Sequence, residues 1–163
     1  MLGTLGMTED GRFALRFERR LGHPPEKVWR ALTETDRLRA WFVRILDYDR
    51  LDLDPRPGAR LEFPPLPAYA DLGTGHGEVL RADPPRLLEY TWDDEALRWE
   101  LTPDGPSGCL LVFTDIFGDR GSASALGAGW HAGLDLLESA LDGTPPAAPD
   151  WERLHADYEQ TLG

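Results

Sequence analysis

Cysteine is almost missing from this chain: Cys109 stands alone among 163 residues. No internal disulfide can form, which fits a reducing, cytoplasmic compartment. No apolar run reaches the roughly 18 residues that a membrane span needs. The opening stretch MLGTLGMTEDGR has neither the basic region nor the apolar stretch of a signal peptide. Basic residues are outnumbered, and the net charge of −12 disfavours nucleic acid and anionic membrane partners, whose affinity rests on lysine and arginine. Neither a GxGxxG nor a GKS phosphate loop occurs, so no nucleotide cofactor is expected. HExxH and CxxC are absent too, and the four histidines are scattered, so no metal is expected. His76 with Glu78, and His131 with Asp135, read as solvated surface pairs. Cys109 has no base nearby in sequence and reads as core.

What is present is an ordinary globule, 41% hydrophobic and 28% charged. We expect one domain over 1–163, with a core at about 11–142 and a linker and small helix after it. GRFALRFERRLG alternates Phe13, Leu15 and Phe17 against Arg12, Arg16 and Glu18, the pattern of a strand with one wet face. HPPEKVWRALT then offers Pro24 and Pro25 at a helix start, with Val28, Trp29 and Leu32 at helical spacing. A second short helix, DRLRAWF, gathers Leu38, Trp41 and Phe42 on one side. VRILDYD and GARLEF read as a hairpin, and the proline-rich stretch 64–73 reads as a long loop. HGEVLRA, RLLEYTW, LRWELTP and GCLLVFTDIF form an antiparallel meander, separated by DPP, DDEA and DGPSG turns. A long helix at 122–142 follows, and WERLHADYEQTL docks through Trp151, Leu154 and Tyr158.

The long helix carries Ala123, Leu126, Trp130, Leu134, Leu137 and Leu141 on one stripe, flanked by Gly129, Gly133 and Ala140. A glycine inside a helix costs about 1 kcal/mol relative to alanine. Glycines beside a buried stripe therefore point to close backbone approach or to empty volume.

The order HPPEKVWRALTETDRLRAWF, GEVLRADPPRLLEYTW, ELTPDG and GWHAGLDLLESALDG, followed by WERLHADYE, resembles the Hsp90-ATPase-activator-homologue-like branch of the START/Bet v 1 superfamily. The resemblance spans about residues 11–160. It implies an α+β helix-grip fold: a curved antiparallel sheet of six to seven strands, two short helices after the first strand, and a long C-terminal helix. It also implies a space between helix and sheet that commonly holds a lipid, a polyketide or another apolar molecule. The resemblance fixes no activity, because relatives include chaperone activators, cyclases, hydratases and carriers.

Alternation places Leu88, Tyr90 and Trp92, then Leu97, Trp99 and Leu101, then Cys109, Leu111, Phe113, Asp115 and Phe117 on the concave face. An aromatic core and an aromatic ligand site share this pattern. Asp115 is the oddity: either the strand ends there and the carboxylate reaches water, or it anchors a ligand or moves a proton. The expected ligand-binding set is Tyr90, Trp92, Trp99, Phe113, Asp115, Trp130, Gly133 and Leu134, with stretch 64–73 near the mouth. The first functional reading is binding of a small apolar or aromatic molecule. The alternatives are a cyclase, dehydratase or hydrolase in which Asp115 works with Tyr90 or His76, and a co-chaperone-like protein acting on an Hsp90-type ATPase. Leu110 and Val112 on the outer face fit a covered or homodimeric surface.

Overall fold

The computed structural model describes residues 2–162. Seven antiparallel strands form one sheet: β1 (Thr4–Met7), β2 (Phe13–Leu21), β3 (Arg60–Phe63), β4 (Gly75–Asp83), β5 (Leu87–Trp92), β6 (Glu95–Asp104) and β7 (Gly108–Phe117). Their order across the sheet is β1-β2-β7-β6-β5-β4-β3. The helices are α1 (Pro25–Thr33), α2 (Thr35–Leu38), α3 (Ala123–Asp142) and α4 (Trp151–Leu162). This is the helix-grip arrangement, with α3 laid across the concave face of the sheet.

Local chemistry explains most of the boundaries. Pro25 opens α1, where a missing N–H costs nothing, and Val28, Ala31 and Leu32 turn inward. Alternation carries through β5, β6 and β7: Leu88, Leu97, Trp99, Leu101, Leu111 and Phe113 are all nearly inaccessible to solvent. The register sets Leu97 opposite both Tyr90 and Asp115, and Trp99 opposite Phe113. Gly143 ends α3 in the left-handed conformation, φ 69°, which suits a residue without Cβ.

Three expectations need correction. The N-terminal stretch forms β1, an edge strand paired with β2 from Thr4↔Arg16 to Met7↔Phe13. Second, VRILDYD and GARLEF do not form a hairpin. Arg60–Phe63 pairs with Gly75–Glu78 instead, and the earlier segment touches the chain after β3 through the isolated Leu46↔Pro65 bridge. Pro64 and Pro65 lack the N–H groups that would extend a ladder there. Segment 46–53 still supplies core, since Leu46, Tyr48, Leu51 and Leu53 are buried. Third, the proline-rich loop contains a 3-10 helix, Pro67–Leu72.

α4 packs on α3 through Tyr158, which is fully buried. Tyr158 Oη accepts a hydrogen bond from the Gly3 amide at 2.9 Å and lies 2.9 Å from His131 Nδ1. His131 is therefore half-buried rather than a solvated surface group, and burial lowers its pKa. Its helix neighbour Asp135 lies 3.6 Å from His131 Nε2 and also pairs with Arg19 at 2.6 Å. Gly127 makes the α3–α4 approach possible, since a Cβ there would lie 2.6 Å from the Tyr158 ring. Trp151 does not dock in the core; it is 44% exposed.

Candidate functional site

Between α3 and the sheet lies a mainly apolar cavity of about 430 Å³. That is within the usual range for small-molecule pockets, roughly 300–1,000 Å³. From the sheet it is lined by Trp92, Glu95 and Leu97. The segment after α2 gives Trp41, Phe42, Val43 and Arg44, and α4 gives Trp151. α3 contributes Ala125, Leu126, Gly129, Trp130, Ala132, Gly133 and Leu136, none of them charged.

The α3 residues explain the volume. A Cβ on Gly129 would have nothing within 4 Å, and one on Gly133 would make only an ordinary 3.5 Å contact with the Trp41 carbonyl. Packing therefore does not require either glycine, and each leaves space that a side chain would take. Leu126 and Trp130, placed on the buried stripe by helical spacing, are only half-buried because they border this space.

A continuous aromatic cluster holds the walls in position. Trp92 stacks on Phe63 at 4.2 Å and 6°, with Phe42 at 6.1 Å on its other side. Gly75 makes room for that indole, since a Cβ there would collide with it. Trp130 meets Phe113 edge-on at 4.6 Å and Phe42 at 5.8 Å. Beneath them Trp99 stacks on Phe113 at 3.9 Å and meets Trp41 edge-on at 5.5 Å.

The expected site residues divide. Trp92, Trp130 and Gly133 line the cavity. Tyr90, Trp99, Phe113 and Leu134 do not; each is buried in the packed core beneath. The polar tips of Tyr90 and Trp99 satisfy each other, the indole hydrogen-bonding the phenol, and burial raises the Tyr90 pKa. The stretch 64–73 does not line the cavity; its exposed lining residues include Arg44 and Trp151. Cys109 is buried, and desolvation pushes its thiol up to about 11, so it stays protonated at neutral pH.

Asp115 is the sharpest departure. β7 continues to Phe117, and Asp115 has no solvent exposure, so the carboxylate does not reach water. Its Oδ2 accepts a hydrogen bond from the Trp130 indole at 2.9 Å, while Oδ1 is buried without a donor. A second acidic residue shares this face of the sheet, two residues from Leu97, the cross-strand partner of Asp115. Glu95 lies within hydrogen-bonding reach of the Asp115 carboxyl. Burial pushes Glu95 up to about 8, helped by the bond to Asp115 and by the charges of Asp115, Asp94 and Asp93. Burial also raises Asp115, partly offset by its bonds to Glu95 and Trp130 and by the Arg12 charge. Glu95 therefore holds its proton at neutral pH, within reach of Asp115. Tyr90 and His76 do not join this pair. Tyr90 stands two strands away across Leu97, about 10 Å between backbones, and His76 is exposed on β4. The signal for Glu95 was in the sequence, because it shares the alternation of Leu97, Trp99 and Leu101.

Comparison with known proteins shows the family and agrees with the fold. The family model of the Activator of Hsp90 ATPase homolog 1-like proteins matches residues 22–142. The chain belongs to that family. Among solved structures, CalU16 from Micromonospora echinospora is 24% identical, covering 98% of this chain and 94% of that one with a TM-score of 0.74. A conserved protein of unknown function from Enterococcus faecalis is also 24% identical, covering 98% and 90%, at 0.77. A protein from Bordetella parapertussis is 28% identical over 90% of this chain and 85% of its own, at 0.70. No curated protein matches the chain. Among the described residues no helix is long and apolar enough to cross a membrane, and no cluster of three or more potential metal ligands occurs.

Proposed function

We propose that this family member binds a small apolar or aromatic molecule in the cavity between α3 and the concave face of the sheet. The observation that carries the reading is the pair Gly129 and Gly133, which leave open a space of about 430 Å³ although a side chain fits at either position. A helix that gives up side chain there loses roughly 1 kcal/mol of propensity per glycine, so the space itself is the feature retained. Trp92, Phe42, Trp130 and Leu126 offer the ligand flat apolar surface, and Arg44 and Trp151 stand at the entrance. Residues 22–142, which carry the family likeness, supply all of these walls except Trp151.

Titration with the neutral fluorescent probe N-phenyl-1-naphthylamine tests the reading. The native protein should give saturable enhancement, and a Gly129→Leu, Gly133→Leu double variant of unchanged circular dichroism should give little. Equal enhancement in both would remove the cavity from the account.

A second reading is an acid/base enzyme working on the same bound molecule, favoured by one observation. Glu95 is a cavity-lining carboxyl whose pKa is raised toward neutrality, the property a general acid needs. In that reading Glu95 would touch substrate, with Asp115 behind it, replacing the expected partnership of Asp115 with Tyr90 or His76.

A further inference from the structure

Three features make Glu95 more than an incidental polar spot on an apolar wall. First, it and Trp130 line the cavity, and both hydrogen-bond to Asp115 directly behind them. Second, Asp115 is fully buried yet keeps Oδ1 without a fixed donor. Fully burying a carboxylate short of partners is expensive, so Asp115 leaves an unmet acceptor behind the cavity wall. Third, Glu95 is the one carboxyl among the cavity-lining residues, its oxygens are acceptors, and the Asp93 and Asp94 charges act on the same spot. A ligand group meeting it must donate, and a cationic donor is favoured over a neutral one.

We propose that the cavity takes its ligand as an aryl- or alkyl-amine, the protonated nitrogen held by Glu95 with Asp115 and Trp130 behind it. The proposal rests on the cavity reading above and names the chemical class that the cavity selects. The ammonium N–H groups take the place of the Glu95 proton: Glu95 gives up its O–H proton to water, and the carboxylate that results pairs with the cation. Trp92, Trp130 and Phe42 line the same cavity, and aromatic faces attract a cation through their ring quadrupoles.

The charged surroundings agree. The β5–β6 turn adds Asp93 and Asp94. From the β1–β2 side, Arg12 reaches the pair electrostatically, but its guanidinium also donates to the Asp94 carbonyl. α3 presents no charged side chain to the cavity, and Arg44, on the segment after α2, is exposed at the entrance, where water screens it. The net charge of −12 adds a field that draws cations in.

A matched pair of ligands tests this: 2-(2-naphthyl)ethylamine, protonated like a lysine side chain throughout, and 2-(2-naphthyl)ethanol, of the same shape and neutral. Isothermal calorimetry with the native protein should show the amine binding about ten-fold or more tighter than the alcohol at pH 8. The preference should shrink at pH 6, and amine binding at pH 7 should release close to one proton, read from the difference between phosphate and Tris buffers. Glu95→Gln should lose the preference, and saturable binding of the alcohol to it shows that its cavity is intact. If both ligands bind but the alcohol is as tight, or if amine binding releases no proton, the amine proposal is wrong and the cavity reading stands. If Glu95→Gln keeps the preference, the cation sits elsewhere and the proposal is again wrong. If neither ligand binds the native protein, the cavity reading fails and takes this proposal with it.

Discussion

Replacing Glu95 with glutamine keeps the shape of the side chain and removes its titration, and the consequence for stability can be worked out from the structure. Burial, the bond to Asp115 and the surrounding carboxylates carry the Glu95 pKa from 4.5 to about 8. Between those values the folded protein holds a proton that the unfolded chain has released, so stability falls as pH rises through this window and is level above it. At about 1.4 kcal/mol for each pH unit, the ceiling on the loss is about 5 kcal/mol. Glu95 is only half-buried, and water screens what it feels; the expected loss is about 2 kcal/mol. Urea unfolding of the native protein and of Glu95→Gln at steps from about pH 5 to about pH 8.5 isolates the contribution of Glu95 and its coupling to Asp115, because the carboxylates that do not interact with Glu95 cancel in the difference. The native protein should lose about 2 kcal/mol relative to the variant across that range. A difference that stays constant with pH, or that grows in favour of the native protein, would refute the raised Glu95 pKa.

Asp115→Asn should lower the Glu95 midpoint by about a pH unit or more without restoring 4.5, since burial remains the largest cause; carboxyl carbon NMR reads it, and an unmoved midpoint would leave burial as the only cause. Trp130→Phe keeps a ring against Phe113 but removes the donor to Asp115 Oδ2, and should cost about 1–3 kcal/mol in denaturant unfolding. Gly127→Ala and Gly129→Ala should move stability in opposite directions. The first forces Tyr158 aside for a loss of about 1–3 kcal/mol, and the second meets nothing and gains about 1 kcal/mol of helix propensity.

Much of the frame was legible because one period governs each element. The strict alternation of Leu97, Trp99 and Leu101, and of Cys109 to Phe117, meets a partner on each side, so one face of the sheet is forced inward. The spacing of Leu134, Leu137 and Leu141 sets the face of α3 in the same way. Segment 43–59 was not legible, because its leucines are buried through irregular backbone that has no period to read. β1 was missed because its four residues, of which only Leu5 and Met7 are apolar, are too few to show a period and gain a place only by pairing with β2. In the site, Trp92, Trp130 and Gly133 were readable from face and spacing. The separation of Tyr90, Trp99 and Phe113 from the cavity was not, since alternation gives the face of a residue but not its depth beneath the walls. Asp115 was found as an anomaly. Its partner Glu95 was hidden by lying at a strand edge inside DDEA, where a turn explains an acidic residue equally well.

The central claim, an open site between α3 and the sheet, is tested most directly by the side-chain N–H signals of the six tryptophans. In a titration with 2-(2-naphthyl)ethanol, the indole signals of Trp41, Trp92, Trp130 and Trp151, which border the cavity, should shift together to one saturating endpoint while Trp29 on α1 stays in place. No saturable shift, or one confined to Trp29 or to the exposed Trp151, would contradict the account.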